Sequence, residues 1–194
     1  MRDKMSVVHE AAAGFLKTLR PGDRGAVISF SDGVDVLQPP TDDRDLLFGA
    51  IKRMEAHGAT ALMNAVYVAL KQFGRLAQQS GDVRRQAIAV LTDGEDTSSV
   101  ISFDDVLELA RKSGVNIYTI ALRSEPVIPH ERPHHALSQS DFSMKTLATE
   151  TGALAFFPGG VQDLKGVYAS IASELASQYS IGYAPTNTRA DGRF

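Results

Sequence analysis

Two short segments hold the residues whose chemistry is easiest to name. Ala87-Ile88-Ala89-Val90-Leu91 is a continuous apolar run, stopped by Thr92-Asp93-Gly94-Glu95-Asp96. A run of that length suits a parallel strand covered on both faces. Asp93 then stands where the strand ends, with its carboxylate projecting into the crevice beyond it, and Gly94 permits a sharp turn there. Earlier in the chain, Gly58-Ala59-Thr60-Ala61-Leu62 lies where a loop enters a helix. A threonine hydroxyl and an aspartate carboxylate are hard oxygen donors of the kind Mg²⁺ takes. On Asp-Gly alone, a capping or solvated turn accounts for Asp93 just as simply, because the pair is common in turns.

Other chemistries leave weaker traces. His130-Glu131-Arg132-Pro133-His134 spells the zinc-hydrolase pattern His-Glu-x-x-His. That pattern works because two histidines one helical turn apart point the same way. Pro133 falls between them and would cost the required helix ~3 kcal/mol, with Pro126 and Pro129 close upstream. The segment reads as a solvated loop, and a zinc hydrolase using His130, Glu131 and His134 is the alternative. A nucleotide-binding enzyme of the same fold class would need a glycine-rich phosphate loop after a strand. Gly22-Asp23-Arg24-Gly25 precedes a strand, and Gly159-Gly160 lacks a lysine. Ser29 and Ser31 lack the Gly-x-Ser-x-Gly setting of a hydrolase nucleophile. His9 and His57 are isolated and read as structural or solvent-facing. The expectation is a non-catalytic protein.

Composition agrees with a single folded unit. The 194 residues are 43% hydrophobic, enough for one substantial core. Lysine and arginine number 20 against 23 aspartates and glutamates, a formal charge of −3, and no basic block suggests a nucleic-acid partner. Cysteine is absent, which rules out disulfides and thiolate metal sites but leaves the compartment open. No apolar run approaches the roughly 20 residues that span a bilayer. Arg2, Asp3 and Lys4 lead into an amphipathic pattern, not into the apolar stretch of a secretion signal.

The elements that must position Thr60 and Asp93 follow from periodicity. Met5, Val8, Ala12, Phe15, Leu16 and Leu19 mark one helical face, closed by Arg20-Pro21-Gly22-Asp23. Ala26–Phe30 and Val34–Leu37 flank Ser31-Asp32-Gly33 and read as a hairpin that Pro39 and Pro40 end. A helix capped by Asp42 or Asp43 precedes the loop at Gly58, and another runs from Leu62 to Ala77. After the strand ending at Asp93 come a helix opened by Ser102 and Asp105, a strand over Val115–Leu122 and a proline-bearing loop over Ser124–Ser140. Asp141 is expected to cap the next helix. A short strand at Ala153–Phe157 and a helix through Leu164, Tyr168 and Leu175 follow. Alternating strands and helices predict an α/β fold with a mainly parallel sheet, whose ligand sites lie beyond the carboxyl ends of the strands.

Together these features resemble the von Willebrand factor A-type (vWA) family. There a Gly-Gly-Thr-x-Leu loop supplies a metal-binding threonine, and a strand ending x-Thr-Asp-Gly supplies a metal-binding aspartate. The matching residues are Gly58-Ala59-Thr60-Ala61-Leu62, with Ala59 for the second glycine, and Leu91-Thr92-Asp93-Gly94. The resemblance covers residues 1–183 and implies a Rossmann-like vWA fold with an antiparallel hairpin edge and helices on both faces. Residues 184–194 form a tail leading toward a further strand or segment. The ending Gln178-Tyr179-Ser180-Ile181-Gly182-Tyr183-Ala184-Pro185 resembles a bacterial branch of the family. The family's third metal segment, Asp-x-Ser-x-Ser at the end of a central first strand, occurs nowhere in these residues. Met1 stands where the residue after that motif would fall, so the first strand is expected to be missing from this stretch. The resemblance thus implies a protein-binding module with a partial metal site at Thr60 and Asp93. Glu95 and Asp96, with the loops at His57-Gly58 and Thr97-Ser98, would form its rim. In an intact relative, Mg²⁺ (or Mn²⁺ or Ca²⁺) would be completed by a partner's acidic residue. This chain is expected to bind metal weakly or not at all, and to form a homodimer by strand exchange if its sheet lacks a strand.

Overall fold

The computed structural model describes residues 5–55, 58–80, 85–93, 95–122 and 138–178. The order is α1 (Met5–Leu16), β1 (Gly25–Phe30), β2 (Val34–Thr41), α2 (Arg44–Lys52), α3 (Leu62–Ser80), β3 (Ala87–Thr92), α4 (Phe103–Ser113), β4 (Asn116–Ala121), α5 (Gln139–Glu150), β5 (Ala155–Phe156), a 3₁₀ turn (Val161–Asp163) and α6 (Leu164–Ser177). This is the expected α/β arrangement. The zinc-like segment His130 to His134, the tail from Tyr179 and His57 lie outside the described residues.

The strands form two sheets. β3, β4 and β5 are parallel with β4 in the middle, and β1 and β2 form an antiparallel pair. Along β4, side chains alternate as a strand requires. Ile117 is buried among Val66 and Leu70 of α3, Val106 of α4 and Leu147 of α5. Tyr118 and Ile120 are buried on the other face with Val8 of α1 and Leu164, Tyr168 and Ile171 of α6. Thr119 is also fully buried, and its hydroxyl donates to the Met144 carbonyl at 3.1 Å. Helix α1 also reaches the hairpin, where Leu16 joins Val27, Leu47, Ala50 and Ile51. Both sheets are therefore packed on shared helices.

Among the described residues, β1 pairs only with β2 and β3 only with β4. The Asn116 N–H donates to the Gln86 carbonyl at 3.1 Å, and the Leu122 N–H to the Thr92 carbonyl at 2.8 Å. In a parallel ladder this turns the backbone of the even-numbered residues of β3 toward β4. Ala87, Ala89 and Leu91 present their N–H and C=O groups to the opposite edge. β3 was expected to be covered on both faces. Ile88 and Val90 pack into the core on one face and Ala87 and Leu91 against the core on the other, while Ala89 is exposed.

Three boundaries differ from the sequence reading. Pro39 and Pro40 do not end the hairpin but lie within β2. Pairing jumps from Val27↔Gln38 to Gly25↔Thr41, so the prolines fall in a bulge where no ladder N–H is required. Helix α1 stops at Leu16. Helix α5 is capped by Ser138, not Asp141. Ser138 Oγ accepts the Asp141 N–H at 3.0 Å, and Asp141 is the third helical residue that completes the capping box.

The α1–α6 contact gives a pH prediction. Tyr168 packs its ring 5.3 Å from that of Phe15, and burial pushes its phenol up to about 12. Tyr118 is likewise pushed up to about 12, by burial first and then by Glu174. A raised phenol favours the protonated fold, so its contribution is complete below pH 10 and is lost as pH rises toward 12. Tyr168→Phe keeps the ring and is expected to change stability at pH 7 by no more than about 1 kcal/mol. It should fall less steeply than the parent between pH 10 and 12 in urea melts, and parallel curves would contradict this.

Candidate metal and contact site at the strand ends

The loop carrying Thr60 is held from both sides. In the hairpin turn, the Asp32 carboxylate accepts the Ala59 N–H at 2.5 Å and the Ser31 carbonyl accepts the Ala61 N–H at 2.8 Å. Gly58 has φ +73°, and a Cβ there would lie 2.5 Å from the Asp32 oxygens, so this position requires glycine twice over. On the other side, the Thr60 N–H donates to Thr97 Oγ1 at 3.0 Å. The Thr60 carbonyl accepts from the Thr97 and Ser98 amides at 2.9 and 3.2 Å. The loop thus joins the hairpin to the segment that leaves β3 at Asp93.

Helix α3 shows what that segment is bonded to. The Ala61 carbonyl accepts the first helical bond, from the Ala65 N–H, so Ala61 occupies the cap position with no side-chain acceptor to offer. The caps come from far along the chain. Asp96 Oδ2 accepts the Met63 N–H at 3.3 Å, and Ser99 Oγ accepts the Asn64 N–H at 3.1 Å. Asn64 Oδ1 returns the contact by accepting the Val100 and Ile101 amides, each at 3.1 Å. Asp96 Oδ1 also accepts the Ser99 N–H at 3.2 Å. Asp96, placed on the rim by its sequence position, is therefore half-buried and committed to this cap, whereas Glu95 is exposed. Removing a side-chain cap costs about 0.5–2 kcal/mol. Asp96→Ala is expected to lower the urea midpoint accordingly and Asp96→Asn to restore part of it. An unchanged midpoint in Asp96→Ala would contradict the capping role.

Asp32, Asn64 and Ser99 were missed by sequence reasoning. Asp32 was read only as part of a turn. The one available signal was the absence of any Ser, Thr, Asp or Asn at the residue before α3.

Thr60 and Asp93 remain as candidate metal donors, both half-buried. A divalent cation of the Mg²⁺ type takes six oxygens, some from water. Asp96 and Asp32 are spent on backbone amides, and among the described residues no group of three His, Cys, Asp or Glu could hold a metal. One carboxylate and one hydroxyl do not make a complete site. Ser98 Oγ, in the residue whose amide binds the Thr60 carbonyl, is buried with no hydrogen-bond partner among the described residues. Such a group in a native fold calls for a polar neighbour.

The fold has counterparts among known proteins. The family model described as the von Willebrand factor type A domain matches residues 1–95, a stretch that holds α1, the hairpin, the Thr60 loop and β3 through Asp93. The chain has the vWA fold and matches the vWA family model over that stretch. A UPF0353 protein of Mycolicibacterium paratuberculosis is 25% identical over 181 residues, 89% of this chain and 55% of the relative. The chain thus spans about half the length of the curated relatives it matches. Among solved structures, a von Willebrand factor type A protein from Catenulispora acidiphila superposes with a TM-score of 0.68 at 19% identity, over 90% of this chain and 38% of that one. Proximal thread matrix protein 1 of the mussel byssus, solved with a zinc-occupied MIDAS motif, gives 0.67 at 14% identity, over 91% of this chain and 43% of that one. At these identities the structural likenesses carry the vWA fold alone. No helix among the described residues is long and apolar enough to cross a membrane.

Proposed function

We propose that this vWA domain is a non-catalytic protein-binding module whose contact face is the crevice around Thr60 and Asp93. The observation that carries the reading is the double clamp on the Thr60 loop. Backbone bonds hold it to the hairpin on one side and to the exit of β3 on the other, at the strand ends where open α/β sheets bind their ligands. The mussel byssus protein lends support, because a related fold holds a metal ion at a MIDAS motif. In this chain the metal site is partial. Thr60 and Asp93 would contribute two of its oxygens, and the Asp-x-Ser-x-Ser residues of the family would supply the others. A bound Mg²⁺, Mn²⁺ or Ca²⁺ would offer an open position to a partner's acidic side chain.

The reading is tested with the domain carrying an added first strand that ends in Asp-x-Ser-x-Ser. In millimolar Mg²⁺ it should bind a short aspartate-containing peptide, and both chelator and Asp93→Ala should abolish that binding. Peptide binding indifferent to chelator and to Asp93→Ala would reject the crevice as the contact. The catalytic alternatives are tested on the chain itself. Stoichiometric zinc after chelator-free purification, or saturable ATP binding, would support an enzyme in place of a binding module.

A further inference from the structure

Three consecutive amides of the Thr60 loop each have a partner outside the loop. The Ala59 N–H donates to Asp32 Oδ1 at 2.5 Å, the Thr60 N–H to Thr97 Oγ1 at 3.0 Å and the Ala61 N–H to the Ser31 carbonyl at 2.8 Å. Two of these acceptors belong to the tip of the hairpin, and only Asp32 offers a side chain. Its carboxylate is therefore the group whose removal frees the loop from the hairpin without touching the backbone of either.

The hairpin tip holds that carboxylate in place. Phe30 pairs with Val34, so Asp32 is the middle residue of a three-residue turn, which the Ser31 N–H closes by donating to the Gly33 carbonyl at 2.9 Å. Phe30 anchors the turn by packing against the core cluster that contains Leu62 and Met63, at the start of α3. The receiving side matches. A Cβ on Gly58 would lie 2.5 Å from both Asp32 oxygens and 2.7 Å from Cγ, so the carboxyl group occupies the place where another residue would carry its side chain. Asp32 and Gly58 are exposed, whereas Thr60 is half-buried. One hydrogen bond between exposed groups adds little to global stability, and its larger consequence is for where the loop stands.

We propose that Asp32 is a positioning residue of the strand-end site: it fixes the Thr60 loop before any cation or partner arrives, through one accepted hydrogen bond and not through its charge. For binding, this rests on the strand-end face being the contact surface, but the placement of the loop does not. A loop that holds the competent arrangement only part of the time binds more weakly in proportion to that fraction.

Amide exchange and chemical shifts of the full chain, in chelator and without ligand, test the placement. Asp32→Ala is expected to speed exchange of the Ala59 amide about tenfold, the factor that one hydrogen bond of ordinary net strength supplies. It should also shift the Thr60 and Ala61 amides while leaving those of β4 and the melting curve nearly unchanged. Asp32→Asn keeps the Oδ1 acceptor without the charge. With its side-chain amide confirmed by intact mass, it should retain most of the parent's protection. Gly58→Ala sets a methyl group against the carboxyl group, so it should lower the melting temperature less in the Asp32→Ala background than in the parent. In the domain carrying the added first strand, Asp32→Ala should weaken Mg²⁺ binding about tenfold, and Asp32→Asn by no more than about twofold. Unchanged Ala59 exchange in Asp32→Ala, an equal effect of Gly58→Ala in both backgrounds, or Asp32→Asn behaving like Asp32→Ala would each overturn the proposal. If the extended domain with Asp32 intact bound no Mg²⁺, the metal crevice would fall, and the exchange rates would still decide the role of Asp32.

Discussion

Adding a β-strand that ends in Asp-x-Ser-x-Ser ahead of Met1 is expected to raise the melting temperature of the domain by about 6–12 °C, the shift that about 3 kcal/mol produces at this size. The reason is the division of the strands into two sheets. β1 and β3 each pair on one side only among the described residues, yet both pack against α3, and α1 lies over both sheets. A strand entering between them gains two ladders and buries apolar side chains against these helices, which outweighs the cost of ordering it. Ala89→Pro sharpens the test. Ala89 turns its N–H away from β4, so proline spares the β3–β4 ladder and blocks only the outer edge. The added strand should lose at least half of its benefit in Ala89→Pro. A full gain in that variant would show that the strand docks elsewhere.

The second large effect concerns association. A strand edge with no neighbour is a template for pairing with another chain, and among the described residues the Ala87, Ala89 and Leu91 backbone offers such a template. The 194-residue chain is therefore expected to elute as a dimer or larger species at micromolar concentration. Ala89→Pro or the added strand should each return it toward monomer in size-exclusion chromatography with light scattering. A cooperatively melting monomer whose Ala89 and Leu91 amides exchange freely would contradict this.

Much of this architecture could be read from the residues, because its signals are local. The alternation in Val115–Leu122, the Asp43 and Ser102 caps and the Asp-Gly stop after β3 each depend on neighbours a few positions away. Thr60 and Asp93 were singled out because the motifs around them are short and contiguous. What escaped was non-local. Ala61 cannot cap α3, and the residues that do, Asp96 and Ser99, lie more than 30 positions downstream. Their sequence neighbourhood gives no hint that their oxygens are already committed. Asp32 is hidden in the same way, since its contact with Ala59 spans 27 positions. Pro39 and Pro40 misled because a bulge on an edge strand suspends the rule that proline ends a strand. The division between recognised and missed residues therefore follows contact range, and the clamp on Thr60 is visible only once the chain is folded.

The proposed metal site would take two of its oxygens from Thr60 and Asp93, which alone do not complete it. The most direct measurement is a calorimetric titration with Mg²⁺ or Mn²⁺ of three proteins: the chain itself, the strand-extended form, and the strand-extended form with Asp93→Ala. No heat of binding is expected from the chain at millimolar metal, because a single carboxylate leaves the ion with most of its water. Saturable binding is expected from the extended form, and its loss in Asp93→Ala without loss of fold. Tight Mg²⁺ binding by the unextended chain that depends on Asp93 would contradict the partial site. A folded extended form that ignores metal would remove Thr60 and Asp93 from the role assigned to them.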